Sequence, residues 1–333
     1  MNLIVWAGFL ALFFALLWLD LGVLHREADE LSVRQALKAS LGWIVVALGF
    51  AMLVYGLYEY RWFEWEPGEG GQSGGRDAIV AFVTGYVLEW SLSVDNIFVI
   101  ALIFSYLRVP PKYQYRVLFW GIVGAIVLRG AMIATGTALI HAFDWMFYVF
   151  GAILLLSALR MLRTDEGQFD PGRSLIVRAM RAVFPVSEQL DGQRFFSRTS
   201  GKLTATPLFV ALLLVDFADV VFAVDSIPAI LAVTQDSFIV FTSNAFAILG
   251  LRALYFAIAG LMEQFRFVKY SLVLILAFVG VKMTLALHYH IPNLISLAVI
   301  LGVLATGVLT SMLIKPRSGA SPGAPPGNHK NRD

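Results

Sequence analysis

Nine stretches of this chain run for about 20 residues or more with apolar side chains and few charges. A helix rises about 1.5 Å per residue, so about 20 such residues cross a hydrocarbon core of about 30 Å. The stretches lie at about 3–24, 39–58, 78–106, 115–140, 143–162, 206–232, 237–260, 268–287 and 293–314. Composition points the same way: 14% of the residues are charged and 59% hydrophobic, whereas a soluble domain carries about 25% charged residues to keep its surface wet. The expected fold is therefore an all-α polytopic membrane protein of about nine transmembrane helices. One membrane body at 1–314 is expected instead of the two soluble domains that 333 residues would otherwise suggest. The first stretch is expected to stay in place, because no Lys or Arg precedes it and no small-residue cleavage site follows it.

Basic residues orient the spans. Of the 25 Lys and Arg, 20 fall at the connections after spans 1, 3, 5 and 7 or in the C-terminal tail, and two, Arg61 and Arg76, on the other side. By the positive-inside bias the N-terminus is expected outside and the C-terminus in the cytoplasm. The outer loop after span 2 is acidic and Gly-rich, with Glu59, Glu64, Glu66, Glu69 and Asp77; it reads either as a solvated loop or as a cation-collecting surface. A basic cytoplasmic loop is expected at 163–205, with a short interfacial helix at about 173–184, and a disordered Pro/Gly/Ser-rich tail at 315–333.

Spans 3–5 resemble spans 6–8 at their polar positions. Glu89, Asp95 and Asn96 in span 3 match Asp219, Asp225 and Ser226 in span 6 in spacing and order. Arg129 in span 4 matches Arg252 in span 7, and Arg160 at the end of span 5 matches Lys282 in span 8. A three-span unit followed directly by its copy enters the membrane from the opposite side, which is the inverted-repeat pattern of secondary transporters.

Six carboxylates lie within spans, clear of their end residues: Asp20, Glu89, Asp95, Asp216, Asp219 and Asp225. Each costs several kcal/mol in hydrocarbon, so such groups face a cavity or a partner and mark an ion, proton or substrate path. Arg129, Arg252 and Lys282 are the intramembrane cations and are expected to act as structural counter-charges. Their sum favours a cationic cargo. Carboxylates together with Asn96, Ser226, Ser243 and Asn244 present hard oxygen donors, which suit Mg, Ca and Mn. With no cysteine in the chain, disulfides, thiolate metal sites and cysteine nucleophiles are excluded. The candidate metal ligands are Glu89, Asp95, Asn96, Asp219, Asp225, Ser226 and Asn244, with Asp20 and Asp216 as further members of an ion or proton path. Residues six apart sit about 120° apart on a helix, so Glu89 and Asp95 do not grip one ion from an unbroken helix. Pro228 is expected to break span 6 beside Asp225. The simplest arrangement pairs Asp95 with Asp225 across a pseudo-twofold axis, with Glu89 and Asp219 nearer the midplane.

The strings WLDLGVLHR, LEWSLSVDNIFV, YRVLFWGIVGAIVLRG, DFADVVFAVDSIPAILAVTQD and FTSNAFAILGLRALYF resemble the TerC family of integral membrane proteins, named for tellurite resistance, over residues 1–314. The resemblance implies a bacterial inner-membrane protein that exports manganese from the cytoplasm, with Asp95 and Asp225 as metal ligands. Tellurite is an oxyanion that an acid-lined route repels, so any tellurite resistance is read as indirect.

The leading expectation is a Mn(II) exporter working by alternating access, with protons as a plausible coupling ion. Its partners are the lipid bilayer, the divalent cation and protons, with no nucleic acid and no tightly bound cofactor. No enzymatic role is expected: no phosphate-binding loop surrounds Gly201-Lys202, and the GxGD sequence of intramembrane aspartyl proteases is absent. The alternative is a membrane factor that assists insertion or metallation of exported proteins.

Overall fold

The computed structural model describes residues 3–22, 33–67, 71–72, 74–163, 187, 190–199, 202–259, 267–289 and 291–313. Among them are nine helices long and apolar enough to cross a membrane: α1 (Leu3–Gly22), α2 (Val33–Glu59), α3 (Gly75–Tyr106), α4 (Pro111–Ala142), α5 (Met146–Arg163), α6 (Pro207–Leu231), α7 (Ser237–Ala259), α8 (Val268–Leu285) and α9 (Asn293–Leu313). The expected all-α membrane architecture is thus the observed one. Several helices extend beyond their apolar stretches, because charged residues prolong a helix into the interface without being buried. Arg34 and Lys38 open α2, and Arg76 and Asp77 open α3.

Helix starts follow their sequences. Pro111 and Pro207 sit in the first turns of α4 and α6, where a missing N–H costs nothing. Asp236 caps α7, its Oδ1 accepting from the backbone N–H groups of Phe238 at 3.0 Å and Ile239 at 3.3 Å. Pro228 does not break its helix. The segment Pro207–Leu231 is continuous, and the proline lies within the last turn, where one lost backbone bond is tolerated as the helix is about to end. The interfacial helix expected at about 173–184 and the tail at 315–333 lie outside the described residues. Of the 163–205 loop, the described part contains an unexpected antiparallel hairpin, β1 (Phe196–Thr199) and β2 (Lys202–Ala205), with Phe196 opposite Ala205.

Burial separates centre from rim. The apolar window of α7 is 83% buried and that of α3 61%, against 28% for α1 and α5 and 22% for α9. The chain therefore wraps its peripheral helices around α3 and α7. Packing is paired: α3 lies on α7 and α4 on α6, while α3 also meets α6, α4 meets α7 and α5 meets α8. Exchanging α3 with α6, α4 with α7 and α5 with α8 maps these contacts onto themselves. Close approach depends on missing side chains. A Cβ on Gly85 would lie 2.5 Å from Ile230 Cδ1 and 2.9 Å from Ser243 Oγ, so any larger residue there would have to displace those side chains where α3 meets α6 and α7.

Candidate functional site

The N-terminal end of α3 and the C-terminal ends of α4 and α6 line one large cavity, of about 720 Å³, through Arg76, Asp77, His141 and Leu231. α3 and α6 therefore run antiparallel. Along an α-helix six residues advance about 9 Å. Asp95 thus lies on the far side of Glu89 from this cavity, and Asp225 on the near side of Asp219.

This direction matters because Glu89 and Asp219 meet at the same level. Arg129 of α4 joins them. Its Nε donates to Asp219 Oδ2 at 2.8 Å and its Nη2 to Asp219 Oδ1 at 2.6 Å, a two-pronged contact, while Nη1 reaches Glu89 Oε1. Nη1 also lies 3.2 Å from Asn244 Oδ1 and 3.4 Å from Ser226 Oγ. Asn244 Nδ2 in turn donates to Glu89 Oε2 at 2.9 Å. Four helices, α3, α4, α6 and α7, meet at one guanidinium, and Glu89 and Arg129 are each 1% exposed. All four carboxylate oxygens are engaged. The planar fork of arginine suits this role, since it serves two carboxylates at fixed angles where a lysine offers one point charge.

The pairing expected from sequence is corrected here. Asp95 and Asp225 do not face each other; with Glu89 and Asp219 level on antiparallel helices, they are displaced in opposite directions by about 18 Å in total. Asp225 accepts from Ser157 Oγ of α5 at 2.5 Å, with Arg160 within electrostatic reach. Asp20 forms an ion pair with Arg252 of α7 in which both side chains are 3% exposed. The Arg252 guanidinium also sits 4.6 Å from the centre of the Tyr115 ring. Lys282 meets no carboxylate among the described residues. Its Nζ donates to Asn293 Oδ1 and Ser296 Oγ, each at 2.9 Å, and lines the large cavity.

A smaller cavity, of about 20 Å³, lies beside the arginine centre and is lined by Asn96, Asp219, Arg252, Gly121 and apolar neighbours. Asn96 Oδ1 and Asp216 Oδ1 are both buried and accept no hydrogen bond from the described residues. Asp216 packs against α4 where glycines make room, for a Cβ on Gly124 would stand 2.9 Å from Asp216 Oδ2. The hydroxyls of Ser91, Ser93 and Ser243 donate to carbonyls on their own helices, at 2.6, 2.7 and 2.7 Å. Among the described residues no group of three or more His, Asp or Glu side chains is gathered tightly enough to hold a metal ion. The central acids are held by an arginine instead.

Outside the spans, sequence reasoning missed Asp236. It is 2% exposed and accepts from Tyr58 Oη at 2.7 Å. Burial pushes its carboxyl above the ordinary range, while the bonds from Tyr58 and from the Ile239 and Phe238 N–H groups pull it back. Its signal was present, an Asp immediately before an apolar helix.

The sequence signature of the integral membrane protein TerC family matches residues 74–319. The chain is 45% identical over 302 residues to a protein of Escherichia coli named "Putative membrane-bound redox modulator Alx", covering 90% of this chain and 92% of that one. It is 44% identical over 309 residues to a membrane protein of Myxococcus xanthus named STKORF319, covering 93% and 92%. A membrane protein of Rickettsia bellii is 40% identical over 310 residues, covering 93% and 97%. No solved structure matches the chain.

Proposed function

The chain belongs to the TerC family of integral membrane proteins, and from that premise we propose that it exports a divalent cation, Mn(II), from the cytoplasm by alternating access. One observation carries the reading: Glu89 and Asp219, at matching positions of two similar three-helix units, meet on antiparallel helices in the middle of the bundle. Ionisable groups so deeply placed are expensive and are retained for a path. The exchange symmetry of the helix contacts supports two inverted halves that rock about this point. The donor set supports the cargo, because carboxylate and amide oxygens without cysteine favour hard cations.

In this reading the protein lies in the bacterial inner membrane with its N-terminus outside and its C-terminus in the cytoplasm, as the basic loops favour. The 720 Å³ cavity is then the outer vestibule, and Asp95 and Asp225 are way-stations on the inner and outer sides of the centre. Export against a gradient draws on proton entry, with the acids releasing the cation as they take up protons. The chain acts as a carrier and not as an enzyme. A direct thiol role in redox control is closed to it, since it has no cysteine, so any redox effect follows from the metal it moves.

The test is uptake of Mn(II) into inverted or reconstituted vesicles by the wild type and by Asp95→Asn, Asp219→Asn and Asp225→Asn. The expected result is uptake by the wild type and loss of most of it in each variant. Normal flux in all three variants overturns the path. Absence of flux in the wild type, with a client protein bound instead, favours an assembly factor.

A further inference from the structure

At the centre, every carboxylate oxygen already has a donor. Asp219 gives both oxygens to Arg129, and Glu89 gives one to Arg129 and one to Asn244. A hard divalent cation needs about six oxygen ligands, so it cannot enter this arrangement as an addition. It must replace something. The group it most resembles is the guanidinium, a positive charge lying between one acid from each half of the bundle.

A second observation shows where replacement would begin. Beside the centre, Asn96 Oδ1 and Asp216 Oδ1 are buried acceptors without donors among the described residues. Asn96 is 4% exposed and lines the 20 Å³ cavity together with Asp219 itself. Buried acceptors left unsatisfied are rare, and each leaves room for a donor, a water or a cation. Asp216 sits one turn before Asp219 on α6, toward the end of the helix remote from the vestibule. A Cβ on Gly121, which lines the same cavity, would stand 3.5 Å from Asp216 Oδ1, so the two spare oxygens and the arginine-bound acid lie around one small cavity, with Arg252 on its wall.

Resting on the transport reading above, we propose that Arg129 is a tethered competitor of the transported cation. In the empty carrier its guanidinium holds Glu89 and Asp219. A divalent cation that reaches Asn96 and Asp216 takes over Asp219, and Arg129 withdraws from both acids under its repulsion. The exchange keeps the centre close to electrically balanced in both states, so the two halves can reorient loaded or empty without carrying a bare pair of acids through the bundle. It also sets the charge class of the cargo: a single positive charge merely matches the guanidinium, whereas a double charge outcompetes it.

The experiment is Mn(II) binding to purified protein in detergent at mildly alkaline pH, read by loss of the free-ion electron paramagnetic resonance signal, together with vesicle flux. Arg129→Gln removes the competitor, and Arg129→Lys keeps the charge but loses the fork. The expected result is tighter apparent binding in both variants, by about tenfold or more for the glutamine, because the fraction of carrier blocked by the arginine no longer lowers the affinity. Net flux falls in the glutamine variant, since its empty form no longer has its counter-ion. Binding no tighter than wild type overturns the proposal. Should the glutamine variant fail to fold, the lysine variant decides, because its charge still serves both acids. A wild type that neither binds nor moves Mn(II) overturns the transport reading itself, and this inference with it.

Discussion

Arg129 and Arg252 stand at matching places in the two three-helix units, yet they keep different company. Arg129 lies between Glu89 and Asp219, one from each unit. Arg252 is paired with Asp20, from a helix outside either unit, and covers the Tyr115 ring. The difference teaches how a repeated sequence acquires an asymmetric centre. Because α1 supplies a private acid to the second arginine, Asp219 is left to join Glu89 on the first. One arginine then holds two acids, and the centre keeps one net negative charge when both are ionised.

The comparison can be broken most forcefully at the centre. Asp219→Ala removes the two-pronged contact and leaves a buried guanidinium half-served, and breaking a buried ion pair from one side costs about 3–5 kcal/mol. Thermal unfolding in detergent checks this, and a loss below about 1 kcal/mol, the range of an exposed pair, means the cluster is open to solvent.

A somewhat smaller effect is expected at the second arginine. Asp20→Asn strands Arg252, but the aromatic face of Tyr115 remains, so a loss of about 2–3 kcal/mol is expected. The double variant Asp20→Asn, Arg252→Gln should recover part of that loss, as a double-mutant cycle requires of a coupled pair. Equal losses at both arginines, with no recovery, would erase the distinction drawn between them.

The smallest effect lies outside both clusters, at Asp236, and serves as a control. Its folded carboxyl titrates above its unfolded value because of burial. The folded state therefore holds its proton longer, and stability from this group is fully present below the ordinary carboxylate value of about 4 and declines as pH rises toward the raised folded value. Asp236→Asn keeps the cap and the tyrosine contact while removing the charge. Its unfolding temperature should change less with rising pH than that of the wild type, by an amount too small to disturb flux. Parallel pH profiles for the two proteins would show that Asp236 is not buried as described.

Much of this was legible because the bilayer is an exacting solvent. Nine apolar stretches match nine helices among the described residues, and three of the six acids that hydrocarbon should reject, Asp20, Glu89 and Asp219, proved to be buried. Asp95 and Asp225 show where reading stopped. Their shared motif suggested a meeting, but on antiparallel helices these residues lie on opposite sides of the central pair, so only the residues level with Arg129 come together. Pro228 shows the same limit at shorter range. Its chemistry was foreseen, but its position in the last turn meant that no break was needed.

What the sequence alone determined is the solvent and the cast: apolar length demands a membrane, and charges kept inside it must be paired or exposed to a path. The tertiary structure decided the pairing. Asp20 is separated from Arg252 by most of the chain, and Glu89 from Asp219 by two helices, α4 and α5. Such partners are chosen by which helices pack together and how far each is displaced along its neighbour. That displacement depends on long-range contacts such as Gly85 against Ile230, which no local pattern encodes.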